Sequence, residues 1–193
     1  MSPANAMDRS YGPIKQMLRQ GIFASGARLE ANRLADELGV SITPVRDVLY
    51  RLTGELLVDA TIGDGFHVPR FSEAGLRDLY EWQSALISFA GRTVDVSSAM
   101  AVVDGASPVA DRIAEMIGRV AATAPNKEIG SALIAASDRL QPFRIAESKI
   151  FDDVESEFAE LSEHEAGAAG AIRRYHLRRM RAVSALLQLR DQR

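Results

Sequence analysis

Arg33, Ser41, Thr43 and Arg46 bring two guanidinium groups and two hydroxyls into one short stretch of chain. A guanidinium donates a pair of parallel hydrogen bonds to a phosphate or to the edge of a guanine, and a hydroxyl both donates and accepts. This is the chemistry of recognition, not of bond making. Ser41 precedes no histidine partner and stands where a helix cap is needed, so no nucleophile, base and orienting group occur at a known spacing. The chain has no cysteine, which removes disulfides, thiolate nucleophiles and cysteine-ligated zinc.

The surrounding residues position that stretch. Leu29, Leu34 and Leu38 mark one face of a helix, which Gly39 ends by taking positive φ. Ser41 or Thr43 then caps a second helix with Pro44 in its first turn, where a missing amide proton costs little. Val45, Val48, Leu49 and Leu52 continue at helical spacing, so one face is buried and Ile42, Thr43, Arg46 and Asp47 stand near the exposed entry. The start of such a second helix is the part that reaches base edges. Leu56, Leu57 and Val58 lead into a strand over Asp59-Ala60-Thr61-Ile62, Gly63-Asp64-Gly65 makes a tight turn, and Phe66-His67-Val68 returns. A hairpin directly after a recognition helix predicts a winged helix-turn-helix. The Gly63-Asp64-Gly65 turn is too short to be a phosphate-binding loop.

Tyr11, Ile14, Lys15, Leu18, Gly21, Phe23, Gly26, Arg28 and Leu29, then Leu34-Ala35, Leu38-Gly39-Val40-Ser41 and Thr43-Pro44-Val45-Arg46, then Leu57-Val58 and Gly63, Gly65-Phe66 and Val68 agree in order and spacing with a known domain. Over roughly its first seventy residues the chain resembles the amino-terminal domain of the GntR family of bacterial transcription regulators. The resemblance implies a double-stranded DNA operator as partner, contacted by Arg33, Ser41, Thr43 and Arg46, with Ile42 and the wing glycines Gly63 and Gly65 at the same surface. Two positions depart from the family pattern. Ile42 stands where arginine is frequent, and Ile62 where a basic or polar residue is common. A bidentate arginine is worth about 1 to 3 kcal/mol of base discrimination, so isoleucine, able to touch a thymine methyl, implies a different preferred base.

Charge does not by itself point to nucleic acid. The first seventy residues carry eight Lys and Arg against eight Asp and Glu, and the whole chain has a formal charge of −3. Binding must rest on a local cluster and on amide protons at helix starts. A winged helix that serves only protein contacts is the alternative. No run of about eighteen apolar residues is present, and Met1 to Asp8 lack the basic-then-apolar order of a signal peptide, so the expectation is a cytoplasmic protein without a membrane partner.

Pro69 and Ser72 mark a boundary, giving a DNA-binding domain over residues 1–70 and a second domain over 71–193. The second reads as an all-α bundle, so the fold class is mainly α with a small β wing. Its helices are expected from Ser72 to Thr93, after a break through Asp95 to Pro108 that includes Gly105, then from Val109 to before Pro125, and from Lys127 until Pro142 ends or kinks the third. Stripes through Ile150, Phe151, Val154, Phe158 and Leu161, and through Ile172, His176, Met180, Val183 and Leu187, give a fourth and a fifth.

This arrangement is similar to the FadR-like (FCD) branch of the family, on Tyr80-Glu81, Asn126 and Ala171-Ile172-Arg173 with His176-Leu177, in a domain that reads as one helix short. The resemblance implies a homodimer and a small organic effector. Many members hold a divalent metal with one aspartate and three histidines. Here the matching positions are Ile113, Ile117, Val154 and His176, and only His176 can ligate. The expectation is therefore no metal and no cofactor, with an effector pocket formed by Ile113, Ile117, Val154, Arg173 and His176. His176 reads either as a core histidine satisfied by one hydrogen bond or as an effector contact. His67 and His164 read as solvent-facing. Asp152, Asp153, Glu155, Glu157, Glu160, Glu163 and Glu165 precede Arg173, Arg174, Arg178, Arg179 and Arg181, a pattern that pairs across a helical hairpin more readily than it frees Arg173 for a ligand. Together these readings give a ligand-responsive DNA-binding regulator, a repressor, with an effector-independent regulator as the second choice and no enzyme.

Overall fold

A computed structural model describes residues 3–91, 107–163 and 168–191. Of the expected break from Asp95 to Pro108, all but the last two residues lie outside the described residues, as do His164 and Glu165. The chain forms two compact units, residues 1–70 with 190–193, and residues 71–189.

In the first unit, α1 (Pro3–Arg19), α2 (Ala31–Leu38) and α3 (Ile42–Gly54) accompany β1 (Arg28–Leu29), β2 (Asp59–Thr61) and β3 (Gly65–His67). Ile14, Leu18, Leu34, Val45, Val48, Leu49, Leu52, Phe66 and Val68 form one core, each contributed by the apolar face of its element. Gly39 has φ 64°. Its amide donates to Asp36 O at 3.3 Å, and that of Val40 to Ala35 O at 3.0 Å, so the carbonyls left over at the end of α2 are satisfied in a tight left-handed cap. β3 lies between β1 and β2, antiparallel to both, with Leu29 and Ala60 each opposite Phe66. β1 adds a third strand to the expected hairpin. Arg190 Nη2 donates to Phe23 O at 2.6 Å in this same unit.

The second unit holds α4 (Glu73–Ala90), α5 (Val109–Thr123), α6 (Lys127–Glu147), α7 (Val154–Glu163), α8 (Ala168–Arg181) and α9 (Val183–Asp191) as far as Leu189. Ser72 Oγ accepts from Gly75 N at 3.0 Å and caps α4, and Asn126 Oδ1 accepts from Glu128 N at 3.0 Å and caps α6. Leu86, Ile87, Ile113, Ile117, Leu133, Phe158 and Ile172 pack into one core, while Leu76, Tyr80, Leu140, Phe143, Val183 and Leu186 pack into another. Gly130 allows α5 and α6 to meet closely, because a Cβ there would stand 2.6 Å from Ala121 O.

One helix expectation is narrowed and another needs correction. Of the two outcomes expected at Pro142, an end or a kink, the end does not occur, since α6 continues to Glu147. Leu140 and Phe143 are buried on either side of it, so packing outweighs the local cost of the proline. The fifth stripe is also divided, at Ala182, into α8 and α9.

Candidate nucleic-acid interface

A groove of about 710 Å³ runs between the entry of α3 and the wing. Ile42, Arg46, Gly63 and Gly65 line it, joined by Arg28, Asn32, Tyr50 and Ile62, of which Arg28, Asn32 and Tyr50 are not apparent as site residues in the sequence. The turn gives Gly63 φ 83° and Gly65 φ 93°, values that suit glycine alone. Arg28 Nη2 lies 3.7 Å from where a Cβ on Gly65 would stand, so this guanidinium sits beneath the wing. The strand alternation that exposes Arg28 and buries Leu29 is the signal for it, but two residues are too few to read from the sequence. Tyr50 is held against the wing by an edge contact to Phe66, with ring centroids 4.8 Å apart. Ile62 at the wing tip is fully exposed.

Arg33, Ser41 and Thr43 are exposed but do not line this groove. Ser41 is the N-cap residue of α3 with extended backbone, and its side chain makes no capping bond, which leaves the hydroxyl available. Arg33 Nε donates to Glu37 Oε1 at 3.0 Å on the solvent face of α2. Ile42, the first residue of α3, is half-buried: one side packs on the amino-terminal core while the residue also lines the groove. His67 is also half-buried, with Nε2 3.6 Å from Asp64 Oδ2 across the wing turn, and so is not solvent-facing as expected.

Of the charged side chains, Arg28, Glu30 and Arg46 line the groove, and other cations of the unit are engaged elsewhere. Lys15 Nζ is 2.8 Å and Arg51 Nε 3.5 Å from the carboxylate of Glu55, to which Tyr11 Oη donates at 2.7 Å. Burial pushes the Glu55 carboxyl up, but the hydrogen bonds from Lys15 and Tyr11 and the charges of Lys15 and Arg51 hold it below the usual range. Those two cations are therefore spent on fixing the end of α3 against α1. Arg28 and Arg46 have no ion pair among the described residues, and both face the groove.

In the second unit the expected pocket does not assemble. Ile113 and Ile117 are core residues at 2% and 1% exposure. Val154 borders a cavity of about 240 Å³ beside Arg144 and Glu147, and Arg173 is exposed on a separate groove beside Glu81. His176 is buried among the helices, where Nδ1 donates to Ile172 O at 2.7 Å and Nε2 lies 3.3 Å from the Gln83 amide. Burial lowers its pKa to about 4, with the positive charges of Arg179 and Arg144 adding to the shift and the Ile172 bond opposing it, so the ring is neutral at pH 7. The Nε2 lone pair then calls for a donor. Turning the Gln83 amide by 180° would supply one and would satisfy Gln83 Nε2, which otherwise has no partner. Both ring nitrogens are engaged, the two isoleucines carry no donor atoms, and among the described residues no three His, Cys, Asp or Glu side chains could hold a metal ion together. The residues present do not fit the metal site that the FadR-like resemblance implies.

The acidic and basic runs pair. Arg178 donates to Asp153 at 2.6 Å, Arg174 lies 3.4 Å from Glu160, and Arg179 reaches both Glu157 and the buried Glu147. Glu147 is not apparent from the sequence. It accepts from Arg179 and from the hydroxyls of Tyr80 and Tyr175, joining α4, α6 and α8 through one carboxylate.

Residues 7–68 match the model of the family described as bacterial regulatory proteins, gntR family. The HTH-type transcriptional regulator McbR of Escherichia coli K12 is 41% identical over 68 residues, which are 35% of this chain and 29% of that protein. The chain thus spans less than a third of the length of the first curated relatives it matches. Among solved structures, E. coli McbR/YncC has a TM-score of 0.62 at 17% identity, covering 93% of this chain and 97% of that one. A GntR-type putative regulator from Rhodococcus sp. RHA1 has a TM-score of 0.65 at 15% identity with the same coverage. These likenesses extend the shared fold over nearly the whole chain. Residues 7–68 are thus similar to the GntR-family domain, and the relatives found are transcription regulators, not enzymes.

Proposed function

We propose that this chain, with its GntR-family winged helix, is a bacterial transcription repressor that binds a pseudo-palindromic operator as a homodimer in the cytoplasm. The observation that carries the reading is the groove between α3 and the wing, with Arg28 and Arg46 on its walls and without ion pairs among the described residues. Arg46 reads a base edge from the exposed face of α3, while Arg33, Ser41, Thr43 and Arg28 hold phosphates or flanking edges and Gly63 and Gly65 let the wing approach the duplex. Ile42 and Ile62, both apolar, favour thymine methyls where a common family member would read guanine. Among the described residues, no helix is long and apolar enough to cross a membrane.

The second unit is proposed to be a shortened FadR-like bundle without a metal. An effector acts by linkage: a ligand that binds one state of the bundle better than another shifts the population and so the affinity for DNA. The packing of Ile113 and Ile117 into the core favours a second reading, an effector-independent regulator. Thermal denaturation against a panel of small organic acids separates the two. A ligand held at 100 times its Kd stabilises the native state by about 2.7 kcal/mol and raises Tm, whereas an unchanged Tm across the panel selects the effector-independent form. Dialysis against zinc, nickel or manganese followed by metal analysis is expected to leave no stoichiometric ion, and one equivalent retained would overturn the metal-free proposal.

A further inference from the structure

Ile42, Arg46 and Tyr50 follow one another at four-residue spacing, so they form a single row along α3, and all three line the groove that faces the wing. Tyr50 ends the row. It is 63% exposed, yet its ring is held, because Phe66 of β3 meets it edge-on with centroids 4.8 Å apart. Its hydroxyl has no hydrogen-bond partner among the described residues. The Arg28 guanidinium lies beneath Gly65, the residue before Phe66, so a neutral donor on α3 and a cation on β1 reach the groove within one residue of each other along β3.

We propose that the Tyr50 hydroxyl donates a hydrogen bond to a backbone phosphate of the operator, at the point where one sugar–phosphate strand passes between α3 and the wing. With a recognition helix in the major groove and a wing over the neighbouring minor groove, the strand that separates the two grooves of the duplex has to run between those elements. The space between them is the groove that Tyr50 lines. A tyrosine suits the task because its ring is stiff, so little side-chain freedom is lost when the hydroxyl takes a partner, and Phe66 already fixes its direction. A phosphate contact carries no base information. It fixes how far along α3 the duplex sits, and so which base pair Arg46 meets. The inference rests on the DNA-binding reading above and adds to it a residue that holds the duplex in register.

Titration of an operator selected from a random pool, and of a scrambled duplex, with full-length wild type, Tyr50→Phe and Arg28→Gln over a salt series tests it. The same titrations are run on operators that carry one neutral methylphosphonate at each backbone position in turn. Phenylalanine keeps the ring against Phe66 and loses only the donor. Tyr50→Phe is expected to weaken binding to both duplexes at least about tenfold, the worth of a hydrogen bond to a charged group, with Tm and salt slope unchanged because no charge is lost. Arg28→Gln, by contrast, is expected to lower the slope of log affinity against log salt by about 0.9. At one backbone position the methylphosphonate is expected to cost the wild type about tenfold more than it costs Tyr50→Phe, because the variant has already lost the bond that the modification removes. A Tyr50→Phe protein that binds both duplexes like the wild type, or that loses as much as the wild type at every methylphosphonate, overturns the contact and leaves DNA binding standing. A wild type that retains no duplex from the pool overturns the DNA-binding reading and the contact with it.

Discussion

Arg179 Nη2 lies 2.9 Å from Glu147 Oε2, and the two side chains are 1% and 3% exposed. The carboxylate also accepts from Tyr80 Oη at 3.2 Å and Tyr175 Oη at 3.3 Å. Burial pushes the Glu147 carboxyl up and the adjacent guanidinium opposes it, while the pKa of Arg179 is raised by its anionic partners against its own desolvation. Such a pair stabilises little against an apolar replacement of both, but removing one partner strands a charge. Arg179→Met is therefore expected to cost about 3 to 5 kcal/mol in urea denaturation. A loss below about 1 kcal/mol would mean that the carboxylate finds compensation elsewhere.

The buried neutral His176 gives the second unit an acid limit. In the unfolded chain the ring takes a proton near its ordinary pKa of 6.5, whereas in the fold it does so only near 4. The unfolded state binds more protons between those values, so this contribution to stability is complete above about pH 6.5, is lost as pH falls towards 4, and amounts to about 3 kcal/mol. Other groups titrate in the same window, so the difference between wild type and His176→Gln isolates it. The wild type is expected to lose more stability than the variant from pH 7 to 4. Parallel curves would show that the imidazole takes its proton in the fold near its ordinary pKa.

Leu56 has φ 60°, a left-handed backbone with a branched side chain. Its amide donates to Thr53 O and that of Leu57 to Leu52 O, both at 3.0 Å, the same closure that Gly39 makes after α2. The side chain is largely exposed and gains little by burial. Leu56→Gly is expected to stabilise the amino-terminal unit by up to about 1 kcal/mol, the left-handed penalty less the entropy that glycine adds to the unfolded chain. A lower denaturation midpoint would show that the leucine makes a compensating contact.

The helix-turn-helix and wing were legible because each rests on local rules: Gly39 for the left-handed cap, the apolar spacing of Val45 to Leu52, and two glycines in the wing turn. Ser72 was legible as the start of α4 for the same reason. Arg28 and Tyr50 were not, since their places depend on β1 pairing with β3 and on Phe66 meeting α3. Glu147 and Arg179 are 32 residues apart and follow no motif, so only the packing of α6 against α8 reveals them. The residues expected to form an effector pocket lie apart, which positions matched along the sequence do not reveal. Ile113 and Ile117 fill the core there, and Arg173 stands on a different surface.

The central claim is that α3 and the wing read a DNA operator. Binding the full chain to a random duplex pool, sequencing what is retained, and titrating the selected site with wild type and Arg46→Ala tests it most directly. A two-fold symmetric site is expected, with a loss of about 1 to 3 kcal/mol in specific binding for Arg46→Ala and no change in Tm. A pool that yields no enriched sequence, or a selected site that Arg46→Ala binds as tightly as wild type, would contradict it.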